Sequence, residues 1–157
     1  MSAPSVRESA SSPAAPSARG TRRASGSPPV VCLAGNPNVG KSSLFNSLTG
    51  ATLETAHCAG VTTEATTVCA RWAGTTVEIM DLPGVYGLDV SGGDQVAART
   101  ALLEAQPDVV VVVVDATNLA RNLFLVLQLL DLGYRVVVAL NLIDEARRRE
   151  VTVDASR

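Results

Sequence analysis

Residues 35–42 read GNPNVGKS, and their types and spacing suit one task, which is holding a chain of phosphates. Gly35, Gly40, Lys41 and Ser42 complete the pattern G-x-x-x-x-G-K-[ST]. Phosphate oxygens need several donors converging from one side. Glycines let the backbone curl so that successive N–H groups point inward, and the helix that follows adds the positive end of its dipole. Lys41 is expected to reach the outer phosphates, and the Ser42 hydroxyl to ligate Mg²⁺. Asn36, Pro37, Asn38, Val39 and Ser43 complete the loop around the ligand.

Three further stretches bear on which nucleotide is held and what happens to it. In DLPG, Asp81 to Gly84, the carboxylate follows a strand and is placed to hold Mg²⁺ through water. The Gly84 backbone then stands near the γ-phosphate. In AGVTTE, Thr62 offers a hydroxyl able to complete the metal shell. In NLID, Asn141 and Asp144 follow the last clear strand, where a carboxylate at Asp144 accepts both N–H groups of guanine's N1/N2 edge. Adenine offers no such edge. An N-x-x-D alone matches by chance almost anywhere, so its weight here comes from its position.

The elements needed to position these residues are legible in the pattern. VVCLAG reads as a strand and Lys41 to Leu48 as a helix. TTVCARW and TTVEIMD flank Ala73-Gly74 as a hairpin, with Trp72 covering its exposed end. Gly93 to Glu104 has helical spacing with Val96, Thr100 and Leu103 on one face. The run Val109 to Val114 is wholly β-branched and lies between Asp108 and Asp115, which marks a buried strand. It is far short of the roughly 20 residues a membrane helix needs. Leu119 to Leu132 is a long helix closed by Gly133, and RVVVALN is another strand. The EARRRE run, Glu145 to Glu150, reads as a solvated helix start. Strands alternating with helices predict an α/β P-loop NTPase fold. Its doubly wound sheet is mostly parallel, with one antiparallel hairpin at its edge.

Composition sets bounds on this reading. The 157 residues are 46% apolar but 3% aromatic, so Val, Leu and Ala must fill the core. A net charge of −2 argues against a nucleic-acid-binding body. Residues 1–28 are Ser, Ala, Pro and Arg with almost nothing to bury, and are expected to be a disordered tail. The domain itself is expected over 29–157. Cys32, Cys58 and Cys69 are odd in number and lack close-paired spacing. They suggest neither a disulfide framework nor a zinc site, and a reducing cytoplasm is the natural setting. His57 and Cys58 are adjacent, and two neighbouring side chains cannot easily face one metal, so both are read as exposed loop residues.

Taken together, GNPNVGKSSLFNSLTG, AGVTTE, DLPGVYGL, DATNLARNLFLVLQLLDLG and VVALNLIDEA resemble the cytosolic G domain of the FeoB family, ferrous iron transport protein B. The resemblance covers about Val30 to Asp154, and its most discriminating part is the DATNLARNLFLVLQLL helix. It implies slow hydrolysis of GTP to GDP and phosphate, with catalysis resting on Lys41, Thr62 and Gly84. It further implies Thr62 as the switch I magnesium threonine and Asp81 to Gly84 as the opening of switch II. Asn38 would help to coordinate an activating K⁺. The partner would be a membrane transport domain in the same polypeptide, at the cytoplasmic face of the bacterial inner membrane, and the domain would be incomplete at its C-terminus. His57 and Cys58 depart from the family, replacing the usual Asn and an aromatic or proline, while Val85 stands where Ras-like proteins carry a water-orienting Gln and matches an apolar variant of the wider class. The competing readings are an Era- or TrmE-type GTPase acting on RNA, and a weakly binding fragment that does not hydrolyse nucleotide.

Overall fold

Alternation of valine-rich runs with amphipathic helices gives, in the computed structural model, a six-stranded sheet covered on both faces. The structure describes residues 27–50, 56–57, 66–72, 74–89 and 92–153. The elements in chain order are β1 (Val30–Gly35), α1 (Lys41–Gly50), β2 (Ala56–His57), β3 (Thr66–Trp72), β4 (Thr75–Asp81) and α2 (Gly93–Ala105). They continue with β5 (Val109–Asp115), α3 (Leu119–Asp131), β6 (Val136–Asn141) and α4 (Ile143–Arg148). The strand order is β2-β3-β4-β1-β5-β6.

β4, β1, β5 and β6 run parallel, while β3 pairs antiparallel with β4. The expected α/β sheet with its antiparallel hairpin is therefore present. One addition is β2, which pairs antiparallel beyond β3 and places Ala56 opposite Cys69. Two residues carry no readable alternation, so no pattern announces such a strand.

The two faces of the sheet have separate cores. On one, Val110, Val112 and Val114 of β5 meet Ala98 and Leu102 of α2 and Leu125 and Leu129 of α3. On the other, Leu33 and Ile79 meet Phe45 of α1, with Trp72 and Leu48 packed at the rim. Burying both faces is what a central parallel strand requires, and it explains why β5 is an unbroken valine run. α3 ends as its sequence predicts, with Gly133 at φ 83° beyond the last turn.

The face of α2 that carries Val96, Thr100 and Leu103 is the exposed one. Val96 and Leu103 are more than half exposed, and the buried stripe is Ala98, Ala101, Leu102 and Ala105. That stripe keeps helical spacing, but alanines supply most of it. A correction concerns the cysteines. Cys69 is disulfide-bonded, and Cys32 is free and buried. Nearly all of the tail, residues 1–26, and the region of Thr62 and Cys58 lie outside the described residues. His57 is placed as backbone in β2.

Candidate functional site

Among the described residues, four motif-bearing loops follow the C-terminal ends of parallel strands, the edge at which open α/β sheets bind ligands. Gly35 ends β1, Asp81 ends β4, Asp115 ends β5 and Asn141 ends β6. The register fixes their relative heights, with Leu33 level with Asp81, Gly35 with Val113, and Asp115 with Asn141.

The phosphate loop is tightly built. A Cβ at Gly35 would lie 2.7 Å from the Val113 carbonyl oxygen, so any side chain there collides with β5 backbone. Asn38 and Gly40 adopt left-handed backbone, at φ 66° and 86°. A Cβ at Gly40 would lie 2.2 Å from Asn141 Nδ2, because that amide donates to the Val39 carbonyl at 2.8 Å. The loop and the NLID motif are therefore locked together across 102 residues of chain. At this point Asn141 supports the loop itself, a role its spacing alone did not predict.

Lys41 is buried at the start of α1 and forms an ion pair with Asp81. Two residues from separate motifs thus meet at one point, with side-chain exposures of 10% and 17%. Asn36 is also buried, and neither its amide nitrogen nor its oxygen has a protein partner. Ser42, Ser43 and Asn38 are exposed. Pro37 lies against Gly84, whose Cβ would come within 3.2 Å of the Pro37 backbone. The Val85 N–H donates to the Gly35 carbonyl at 3.1 Å, and the Val85 side chain is buried in the core. Val85 therefore serves packing and does not face the loop.

The stretch after Gly84 runs onto α3. Gln128 Oε1 accepts the Leu88 N–H at 2.8 Å, and the Arg121 guanidinium stands 4.0 Å from the centre of the Tyr86 ring. Neither residue stood out in the sequence. A polar Gln inside the apolar run LVLQLL was the available signal. Asp144 lies in the first turn of α4, exposed, where Arg148 pairs with it at 3.3 Å. An exposed pair of this kind contributes little stability, so the carboxylate remains free to exchange partners. Asp81 is engaged by Lys41, and Thr62 lies outside the described residues.

This geometry can be set beside known proteins. Residues 29–157 match the family model of ferrous iron transport protein B. This chain belongs to that family. Over 125 residues it is 44% identical to the Fe(2+) transport protein A/Fe(2+) transporter FeoB fusion protein of Porphyromonas gingivalis, covering 79% of this chain and 15% of that protein. It thus spans about a sixth of that relative's length. The G domain of the T. maritima FeoB iron transporter superimposes with a TM-score of 0.67 at 40% identity, over 82% of this chain and 78% of that one. A mutant S. thermophilus NFeoB bound to mGDP gives 0.65 at 38% identity, over 80% and 48%. The FeoB match supports the α/β P-loop fold expected from sequence. Among the described residues no helix is long and apolar enough to cross a membrane.

Proposed function

We propose that this chain is the guanine-nucleotide-binding switch domain of a FeoB-type ferrous iron transporter, hydrolysing GTP slowly to GDP and phosphate. The observation that carries this reading is the convergence of three separated motifs on one loop. Asn141 anchors Val39, Asp81 meets Lys41, and Gly84 abuts Pro37. A bare strand-to-helix turn needs none of these. The fit to phosphate is physical as well as topological. The loop carries the Lys41 ammonium and a helix N-terminus, both of which favour an anion, beside a buried Asn36 amide that has no protein partner. The mGDP carried by the S. thermophilus relative is consistent with the same use.

In this reading Lys41 exchanges Asp81 for the outer phosphates, and Asp81, Ser42 and Thr62 are then available to Mg²⁺, whose charge offsets that developing on the phosphoryl oxygens. Backbone N–H groups of Asn36, of residues 38–43 and of Gly84 orient the phosphate chain, and Asp144 selects guanine. Asn38, exposed and left-handed at the loop's crest, would contribute to a K⁺ site. Val85 offers no side chain to orient water, which is why turnover is slow. Attachment to a membrane transport domain, at the cytoplasmic face of the inner membrane, belongs to the same proposal and is supported by relatives named as Fe(2+) transporters, of which this chain spans a small part. The similarity to FeoB proteins gives no support to an RNA-directed Era or TrmE role.

The test is a pair of nucleotide measurements on the purified chain. GTP is expected to bind wild type, and Asp144→Asn to shift preference by ten-fold or more toward xanthosine nucleotides, because one acceptor becomes a donor. Each lost hydrogen bond to a charged group contributes about 1.5–3 kcal/mol. Turnover should be faster in KCl than in NaCl at equal ionic strength, and Asn38→Ala should abolish the difference. Unaltered GTP affinity in Asp144→Asn would remove that residue from the base pocket, and equal rates in the two salts would remove the K⁺ site.

A further inference from the structure

Switch II is held at two ends in this structure, and the second holder is α3. At the loop end, Val85 donates to the Gly35 carbonyl and Gly84 lies against Pro37. At the far end, three consecutive residues meet a single helical stripe. Tyr86 stacks under Arg121, Gly87 abuts Phe124, and the Leu88 N–H is accepted by Gln128. Positions 121, 124 and 128 are spaced i, i+3, i+7, so they share one face of the helix over two turns. Gly87 is closely fitted to that face. A Cβ there would stand 2.9 Å from Gln128 Oε1 and 3.0 Å from Phe124 Cε1. Val85 and Leu88 are buried in the same core that holds Leu125 and Leu129, so the segment between them has little freedom to shift.

Resting on the nucleotide reading above, we propose that Gln128 and Arg121 are positioning residues for the γ-phosphate: by seating residues 86–88 on α3 they fix where the Gly84 N–H stands. Neither touches nucleotide. Their effect passes through the intervening backbone to the Gly84 N–H, read above as standing near the γ-phosphate. Preorganising that donor removes an ordering cost from GTP binding and leaves GDP binding alone. Gln128 supplies an acceptor that the Leu88 N–H otherwise lacks in a half-buried setting, and such a bond contributes roughly threefold to tenfold in an equilibrium. Arg121 over the Tyr86 ring is exposed and weaker, at about twofold to fivefold.

The test uses the full chain as wild type, Gln128→Leu, Gln128→Glu and Arg121→Ala, with mant-GDP and a non-hydrolysable GTP analogue titrated separately and a thermal melt run on each protein. Gln128→Leu keeps the bulk and loses the acceptor, and is expected to lower analogue affinity by threefold to tenfold with GDP affinity within twofold. Gln128→Glu keeps an acceptor and should restore analogue binding. Arg121→Ala, an exposed change that should not disturb folding, gives a smaller loss in the same direction and keeps the test open if Gln128→Leu does not fold. Equal losses for both nucleotides, no loss for the analogue, or a Glu variant as impaired as the Leu variant would overturn the inference. Wild type that binds neither nucleotide would overturn the proposed function, and this inference with it. Wild type that binds both, without a selective loss in the variants, would overturn the inference alone.

Discussion

Gly40 shows how one missing side chain joins two distant motifs. Its φ of 86° is a conformation that costs an L-residue about 1–2 kcal/mol, and its absent Cβ makes room for the Asn141 amide. Gly74, in the β3–β4 turn, has nearly the same φ of 83° with nothing within 4 Å of its virtual Cβ. The two sites therefore separate backbone strain from collision. Gly74→Ala is expected to lower stability by about 1–2 kcal/mol and leave nucleotide binding unchanged. Gly40→Ala should lose about another 1 kcal/mol as the Asn141–Val39 bond breaks, and weaken nucleotide binding by ten-fold or more. Denaturant midpoints and nucleotide titration of the two variants check this. Equal outcomes would mean that Asn141 moves aside without consequence.

At the scale of the element, the central strand β1 carries a thiol with no access to solvent. Burial pushes Cys32 from 9.0 up to about 12, since the charged form has no water. Burial likewise raises Tyr134, with the Cys32 charge adding to it. Below pH 9 the folded and unfolded chains both hold the Cys32 proton and nothing is lost. Above it the unfolded thiol ionises while the folded one stays neutral. Stability should then fall by about 1.4 kcal/mol per pH unit until the pH reaches the folded value near 12. Cys32→Ala should flatten much of that slope in denaturation curves taken from pH 8 to 11, and native Cys32 should resist a maleimide that labels it once unfolded. Elements such as β1 and β5 were legible in the sequence because both faces are buried and hydrophobic runs say so. The α2 stripe was not legible because Ala98, Ala101 and Ala105 do the packing while Val96 and Leu103 stay outside. Residue types announced the phosphate loop, whose glycines and lysine have few other uses in that order. The seat for residues 86–88 was not legible, since it depends on how α3 is rotated against the segment it touches.

Across the whole molecule, charge is spread thinly, with a net of −2, and the phosphate loop's own cation is already matched. Lys41 and Asp81 form an internal counterion pair, so the loop presents an incoming polyanion with little long-range field. The consequence concerns speed of arrival. Steered encounters reach about 10⁸–10⁹ M⁻¹s⁻¹ and slow steeply with salt, whereas unsteered ones stay near 10⁵–10⁶ M⁻¹s⁻¹. Capture of mant-GDP by stopped flow is expected to sit at the slow end and change little between low salt and about 0.1 M, where the screening length falls to ~10 Å. Asp81→Asn leaves Lys41 uncompensated, and should raise the capture rate several-fold at low salt only. A wild-type rate that already dropped steeply with salt would show that the pair does not hide the lysine's field. A rate that is slow and insensitive to salt would give the Asp81 carboxylate, proposed above for the metal, a second effect, which is to make the domain indifferent to passing anions and leave discrimination to contacts formed after they land.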